Sequence, residues 1–142
     1  MIEYRDSLDG ITADNLKGFF VGWPNPPSPE THLKILGNSA YAVIAIDDET
    51  GDVIGFVNAV SDKVLTAYIP LLEVLPDHQG KGIGGELMRR MMQKLEGLYM
   101  IDLACNKELI RFYERFGLIS VDKFGTTAMI KRDFDVQSGK KE

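Results

Sequence analysis

The chain has 142 residues, 44% hydrophobic and 26% charged, which is enough for one ordinary globular core and too little for two. A net charge of -5, with no basic block interleaved with aromatics, disfavours a nucleic-acid partner, and no apolar run approaches the roughly 18 residues of a membrane span. One cysteine and two histidines cannot make an internal disulfide or a structural metal site, and the charged stretch Met1 to Gly10 does not read as a signal peptide, so a cytoplasmic protein without metal or membrane partner is expected.

Ile2 to Ser7 reads as a short strand. Thr12 then looks like an N-cap for a helix whose apolar side is Leu16, Phe19 and Phe20 and which stops near Gly22. Pro24, Pro26, Pro27 and Pro29 form a cluster that favours extended or turn geometry, after which Ser28 as N-cap and Pro29 as first residue open a second helix through about Leu36. Tyr41 to Ile46 and Val53 to Val60 predict an antiparallel hairpin across the polar loop that contains Gly51. A further strand, Leu65 to Leu75, contains Pro70, which must sit at an edge or a bulge because it has no N–H to give a ladder.

The next stretch organises the chain. An apolar run ends at Pro76, Gly80, Gly82, Gly84 and Gly85 follow, and an amphipathic helix begins at Ile83 with Leu87, Met91 and Leu95 on one stripe. Backbone N–H groups at such a helix start lack helical partners and lie at the positive end of the macrodipole, so this strand–glycine loop–helix reads as a pyrophosphate cradle. Gly80, Gly82 and Gly85 also satisfy G-x-G-x-x-G, with Asp102 about twenty residues on, but the motif lies past mid-chain and too little sequence follows for a doubly wound dinucleotide fold. Met100 to Cys105 predicts a short strand and Asn106 to Phe116 a helix closed by Gly117. Leu118 to Val121 and Ala128 to Arg132 predict two final strands, and Asp133 to Glu142 a frayed tail.

Two motifs carry a family resemblance. Gln79 to Gly84, Q-G-K-G-I-G, resembles the Q/R-x-x-G-x-G/A acetyl-CoA motif of the GNAT superfamily of N-acetyltransferases. Asn106 to Leu118 resembles that family's N-x-x-A-x-x-x-Y-x-x-x-G-F, with Leu109 in place of the small alanine and Leu118 in place of the phenylalanine. The order of predicted elements agrees over almost the whole chain. The resemblance implies a GNAT fold of the α/β (α+β) class: a mixed, mostly antiparallel sheet of six to seven strands flanked by about four helices, in one domain over residues 1–132. It implies N-acetyl transfer from acetyl-CoA to a primary amine, a small molecule by first choice. A protein or peptide amine is the alternative acceptor, and a non-catalytic CoA-binding module the alternative class. A homodimer is common among proteins that look like this.

Position by position, the resemblance implies that backbone at Gln79, Gly80, Lys81, Gly82, Ile83, Gly84 and Gly85 holds the pyrophosphate, and that Val74 and Leu75 pair with the pantetheine arm. Asn106 would bond that arm near the thioester, and Tyr113 would protonate the departing thiolate. Glu73, a carboxylate among Leu71, Leu72, Val74 and Leu75, is the first choice for base or substrate-ammonium anchor, with a solvent-facing strand position equally expected. Asp102, His78, His32 or a water are the other bases open, His32 reading best as a surface histidine and His78 as a solvated turn residue. Trp23 is the candidate wall of the acceptor pocket, while Phe19 and Phe20 read as core. Cys105 reads as a small buried hydrophobe at a strand end.

Overall fold

The computed structural model describes residues 1–140; Lys141 and Glu142, the end of the expected tail, lie outside the described residues. Five strands form one sheet in sequence order: β1 (Ile2–Arg5), β2 (Tyr41–Asp47), β3 (Val53–Ser61), β4 (Thr66–Val74) and β5 (Met100–Asp102). The first four are antiparallel neighbours and β5 joins β4 in parallel. A parallel pair needs a crossover, here α2 (Ile83–Lys94), which packs on one face of the sheet. The other face is covered by α1 (Pro29–Gly37) and the turn Ala13–Leu16.

Both faces being covered explains why β2 reads as an almost continuous apolar run. Val43 and Ala45 face α2 with Leu87, Met88 and Met91, whereas Ala42, Ile44 and Ile46 face Leu16, Leu36 and Phe56 on the α1 side. At α1 the sequence signals are realised: the Ser28 hydroxyl accepts the Thr31 N–H at 3.1 Å and Pro29 opens the first turn.

Three expectations are corrected. The helix expected after Thr12 is a single 3-10 turn, because the chain reverses into left-handed backbone at Gly18 (φ 93°), Phe20 (φ 63°) and Gly22 (φ 82°), which no continuous helix tolerates. The helix expected over Asn106 to Phe116 begins as a 3-10 turn, Lys107–Leu109, and is α-helical only over Ile110–Glu114 (α3). The two final strands are not formed, so among the described residues the sheet has five strands, with three α-helices in place of about four. Leu118 to Arg132 runs outside the sheet with a 3-10 turn at Val121–Phe124, and a strand sequence with no strand beside it makes no ladder. The tail turns once more at Phe134–Val136, and Gln137 Oε1 accepts the Asn25 N–H at 2.9 Å.

Candidate active site

Strands β4 and β5 touch over only three residues each, Thr66–Tyr68 against Met100–Asp102. Immediately beyond, the β3–β4 register slips between Asn58 and Val60, which places the extra residue of the bulge in the Ile69–Pro70 stretch of β4. This is the irregularity that Pro70 demanded. From there to Val74 the outer edge of β4 has no neighbouring strand, and the sheet opens into a cleft.

The alternation of backbone groups decides which residues face that cleft. Leu75 donates its N–H to the Ile54 carbonyl at 2.8 Å, so Glu73 and Leu71 also turn toward β3, while Val74 and Leu72 turn outward. The outward carbonyl of Val74 accepts from Gln79 Nε2 at 3.0 Å. Leu75 differs from the expectation for it: its N–H is bound to Ile54 and its carbonyl accepts from the His78 N–H at 2.9 Å, so its backbone is already used within the chain. Val74 carries the open edge at this point.

The chain then makes a 3-10 turn, Pro76–His78, and passes through Gly80 (φ 78°) and Gly82 (φ 82°), the latter being the N-cap of α2. Both dihedrals lie in the left-handed region that side chains disfavour. A Cβ placed at Gly80, Gly82 or Gly85 would meet nothing within 4 Å, so the space before this backbone is open. The first helical bond is that of the Glu86 N–H to the Gly82 carbonyl at 3.1 Å, which leaves the N–H groups of Ile83, Gly84 and Gly85 without helical partners. Gly84 has a second role: its missing Cβ would lie 3.7 Å from Phe112 and 3.8 Å from Val74, so α2, α3 and β4 meet there. Glu86 is drawn aside by Arg89 and Arg90, whose hydrogen bonds hold its carboxyl down at about 2. The loop thus presents amides and Lys81, with Glu86 already paired.

Across the cleft, β5 leads through Cys105 to Asn106 and α3. Asn106 precedes the 3-10 turn, its carbonyl accepting from the Leu109 N–H at 2.9 Å, and its side chain makes no capping bond. Tyr113 is half-buried, edge-on to Phe112 with ring centroids 4.9 Å apart. Burial, reinforced by Cys105, pushes its phenol above the usual tyrosine range, so at neutral pH it carries its proton. Cys105 is exposed, contrary to expectation, because no strand or helix covers that end of β5.

Glu73 is half-buried and anchored within the chain. Its carboxylate accepts the Phe20 N–H at 2.8 Å and the Val21 N–H at 3.3 Å, tying the left-handed turn at Phe20 to β4. That turn presents Trp23, partly exposed and stacked at a tilt on Phe20 with centroids 4.8 Å apart. Phe19 and Phe20 are core, as expected.

His32 is a correction. It is fully buried, enclosed by the rings of Phe19, Phe20 and Phe56, and neither ring nitrogen has a hydrogen-bond partner among the described residues. Burial pushes its pKa down to about 4. The helical periodicity of α1, which brings His32 onto the same face as Leu36, was the available signal. His78 is half-buried in its 3-10 turn, and Asp102 is exposed on β5 opposite Tyr68. Gly55 was missed: a Cβ there would approach Leu87 to 3.1 Å and Ile83 to 3.3 Å, so it lets α2 seat close to β3. An isolated glycine within a strand is the mark of such an approach.

Residues 8–118 match the model of the family described as the acetyltransferase (GNAT) family. A candidate acetyltransferase from Deinococcus radiodurans R1 is 47% identical and superposes with a TM-score of 0.91, covering 99% of this chain and 94% of that one. A GNAT-family acetyltransferase from Streptococcus pneumoniae TIGR4 is 26% identical with a TM-score of 0.76, covering 94% and 98% of the two chains. An uncharacterized N-acetyltransferase of Pyropia yezoensis is 28% identical over 102 residues, which are 70% of this chain and 59% of that protein. The chain thus spans less than two thirds of the length of that relative.

Proposed function

Because the chain belongs to the acetyltransferase (GNAT) family, we propose that it transfers acetyl from acetyl-CoA to a primary amine by direct attack in one ternary complex. The observation that carries this reading is the cleft itself: the open edge of β4 at Val74 leads at one end into the glycine cradle, and α3, which carries Tyr113, meets α2 and β4 at Gly84. Acetyl-CoA supplies an activated acyl group and a thiolate leaving group; everything else is asked of the chain.

The unpaired amides of Ile83, Gly84 and Gly85, with Gly80 and Gly82 in front of them, suit a pyrophosphate. The outward edge of Val74 and Leu72 suits an extended arm laid beside β4 as an added strand. The Val74 N–H is the donor for the oxygen that gains charge when the amine attacks the carbonyl. Asn106, whose side chain makes no capping bond, orients that arm. Tyr113, protonated at neutral pH, gives its phenolic proton to the thiolate as the carbon–sulfur bond breaks.

The acceptor arrives as ammonium and must lose a proton before it attacks. We assign Glu73 to hold that ammonium: each of its oxygens accepts one backbone N–H and each keeps a lone pair for a further donor. Trp23, stacked on the Phe20 that Glu73 holds, supplies an aromatic wall, a surface suited to a small cationic or aromatic amine. The net charge of -5 favours such a substrate.

Thiol release from acetyl-CoA, measured across a panel of small amines and lysine peptides, tests the proposal. Turnover with at least one small amine is expected, and Tyr113→Phe should lower kcat on the order of 10²-fold with KM for acetyl-CoA little changed. No turnover with any amine, or an unaltered kcat in the variant, would contradict the assignment.

A further inference from the structure

The loop that carries Trp23 has few means of holding itself. Residues 21–26 are exposed, and Pro24, Pro26 and Pro27 lack a backbone N–H, so between Trp23 and Ser28 only Asn25 owns an amide donor. The two ends of the loop are tied. Glu73 accepts the Phe20 and Val21 N–H groups at its start, and the Ser28 hydroxyl caps α1 at its finish. Trp23 itself donates its N–H back to the Phe20 carbonyl at 3.2 Å. Among the described residues, the stretch after it has one tie beyond the loop, and that tie comes from the far end of the chain: Asn25 donates its N–H to Gln137 Oε1 at 2.9 Å.

The tail that supplies Gln137 is shaped to deliver it. After the exposed run 121–136, Gln137 and Ser138 are half-buried. Asp133 accepts the Asp135 N–H at 3.0 Å and starts a 3-10 turn. Bonds from the Gln137 N–H to the Phe134 carbonyl at 3.2 Å, and from the Gly139 N–H to the Val136 carbonyl at 3.0 Å, then fix the backbone on both sides of the Gln137 side chain. Gly139 lies against α1: a Cβ there would stand 2.9 Å from Thr31 Cγ2, and its φ of 81° is one that side chains disfavour. The tail is thus seated on the loop at Asn25 and on the first turn of α1 at Thr31. A frayed end would have neither a capped turn nor a contact that excludes a methyl group.

We propose that Gln137 is a positioning residue for the amine acceptor: through Asn25 it sets where Trp23 stands, so the tail acts on the amine side of the reaction. This rests on the reading of Trp23 as the acceptor wall. An amide suits the position, because its oxygen accepts the Asn25 N–H, whereas a lysine or arginine has only donors to offer. The bond is exposed, so it is an ordinary hydrogen bond made in competition with water. Its effect belongs in the placement of the wall and not in the stability of the fold. Trp23 is the single tryptophan of the chain, and its fluorescence therefore reports the wall without a label.

Full-length Gln137→Ala, Gln137→Glu and Gly139→Val proteins test it beside the wild type. Acrylamide quenching of Trp23 needs no substrate. Gln137→Ala should be quenched more readily, with red-shifted emission, and should raise KM for the best amine roughly five-fold, the equivalent of one hydrogen bond, with kcat, KM for acetyl-CoA and Tm near wild type. Gln137→Glu keeps an accepting oxygen and should restore both quenching and KM. Gly139→Val, which unseats the tail at its other contact, should behave as Gln137→Ala does. Unchanged quenching in Gln137→Ala, a Gln137→Glu protein no better than the alanine variant, a Gly139→Val protein identical to wild type, or a loss shared equally by KM for acetyl-CoA would each overturn the proposal. A wild type that turns over no amine would sink the acetyltransferase reading instead, and the quenching comparison would still decide the contact between tail and wall.

Discussion

Glu73 shows why a residue can be found in a sequence and its surroundings missed. A carboxylate in an apolar strand had to be paired or exposed, and that much followed from the residues; its partners, two backbone amides more than fifty positions away, did not, because no side chain announces them. Glu73→Gln keeps an oxygen for the Phe20 N–H and should leave thermal stability near wild type while raising KM for the amine about tenfold; a tenfold loss in kcat at unchanged KM would instead assign it to proton transfer. His32 was read as surface because histidine usually is, and helical spacing with Leu36 overrides composition there. Its pKa of about 4 in the fold lies below the 6.5 of an unfolded histidine, so the unfolded chain binds the extra proton between these values. Stability is therefore lost as pH falls from about 6.5 to about 4, by roughly 3 kcal/mol from this group. His32→Leu should flatten that part of the stability–pH curve in urea titrations and be more stable than wild type at pH 5. A slope unchanged by the substitution would mean that other groups set it.

The elements divide by whether their signals are local. The hairpin of β2 and β3, the Ser28–Pro29 start of α1, the Pro70 bulge and the entry into α2 at Gly82 were all legible, since each is fixed by residues within a few positions of it. The helix after Thr12 was not, because the left-handed backbone at Phe20 is held by Glu73 from another strand. Gly55 belongs at this scale, for it sets how closely α2 lies on β3 and hence where the cradle stands. Gly55→Ala must push Leu87 and Ile83 outward by a few tenths of an ångström, which should cost about 1 kcal/mol and raise KM for acetyl-CoA several-fold. Unchanged denaturation midpoint and KM would show that α2 has slack the packing does not suggest.

At the scale of the molecule, the sequence contains more strand-like segments than pair into the sheet among the described residues. Ile119, Val121 and Ile130 have the residue types of strands, and that much is legible; whether they become strands depends on an edge to pair with, which is a property of neighbours and not of the segment. The same reasoning explains the cleft, since the separation of β4 from β5 follows from where pairing stops at Tyr68 and Asp102 and from no single motif. The central claim is that this opening, with the glycine loop at its mouth, binds acetyl-CoA. Thermal unfolding with and without acetyl-CoA, with NAD as control, tests it most directly: at about a hundred times the dissociation constant a ligand adds roughly 2.7 kcal/mol. A clear rise in Tm with acetyl-CoA and none with NAD is the predicted result. No rise at saturating acetyl-CoA, or a rise with NAD in its place, would contradict it.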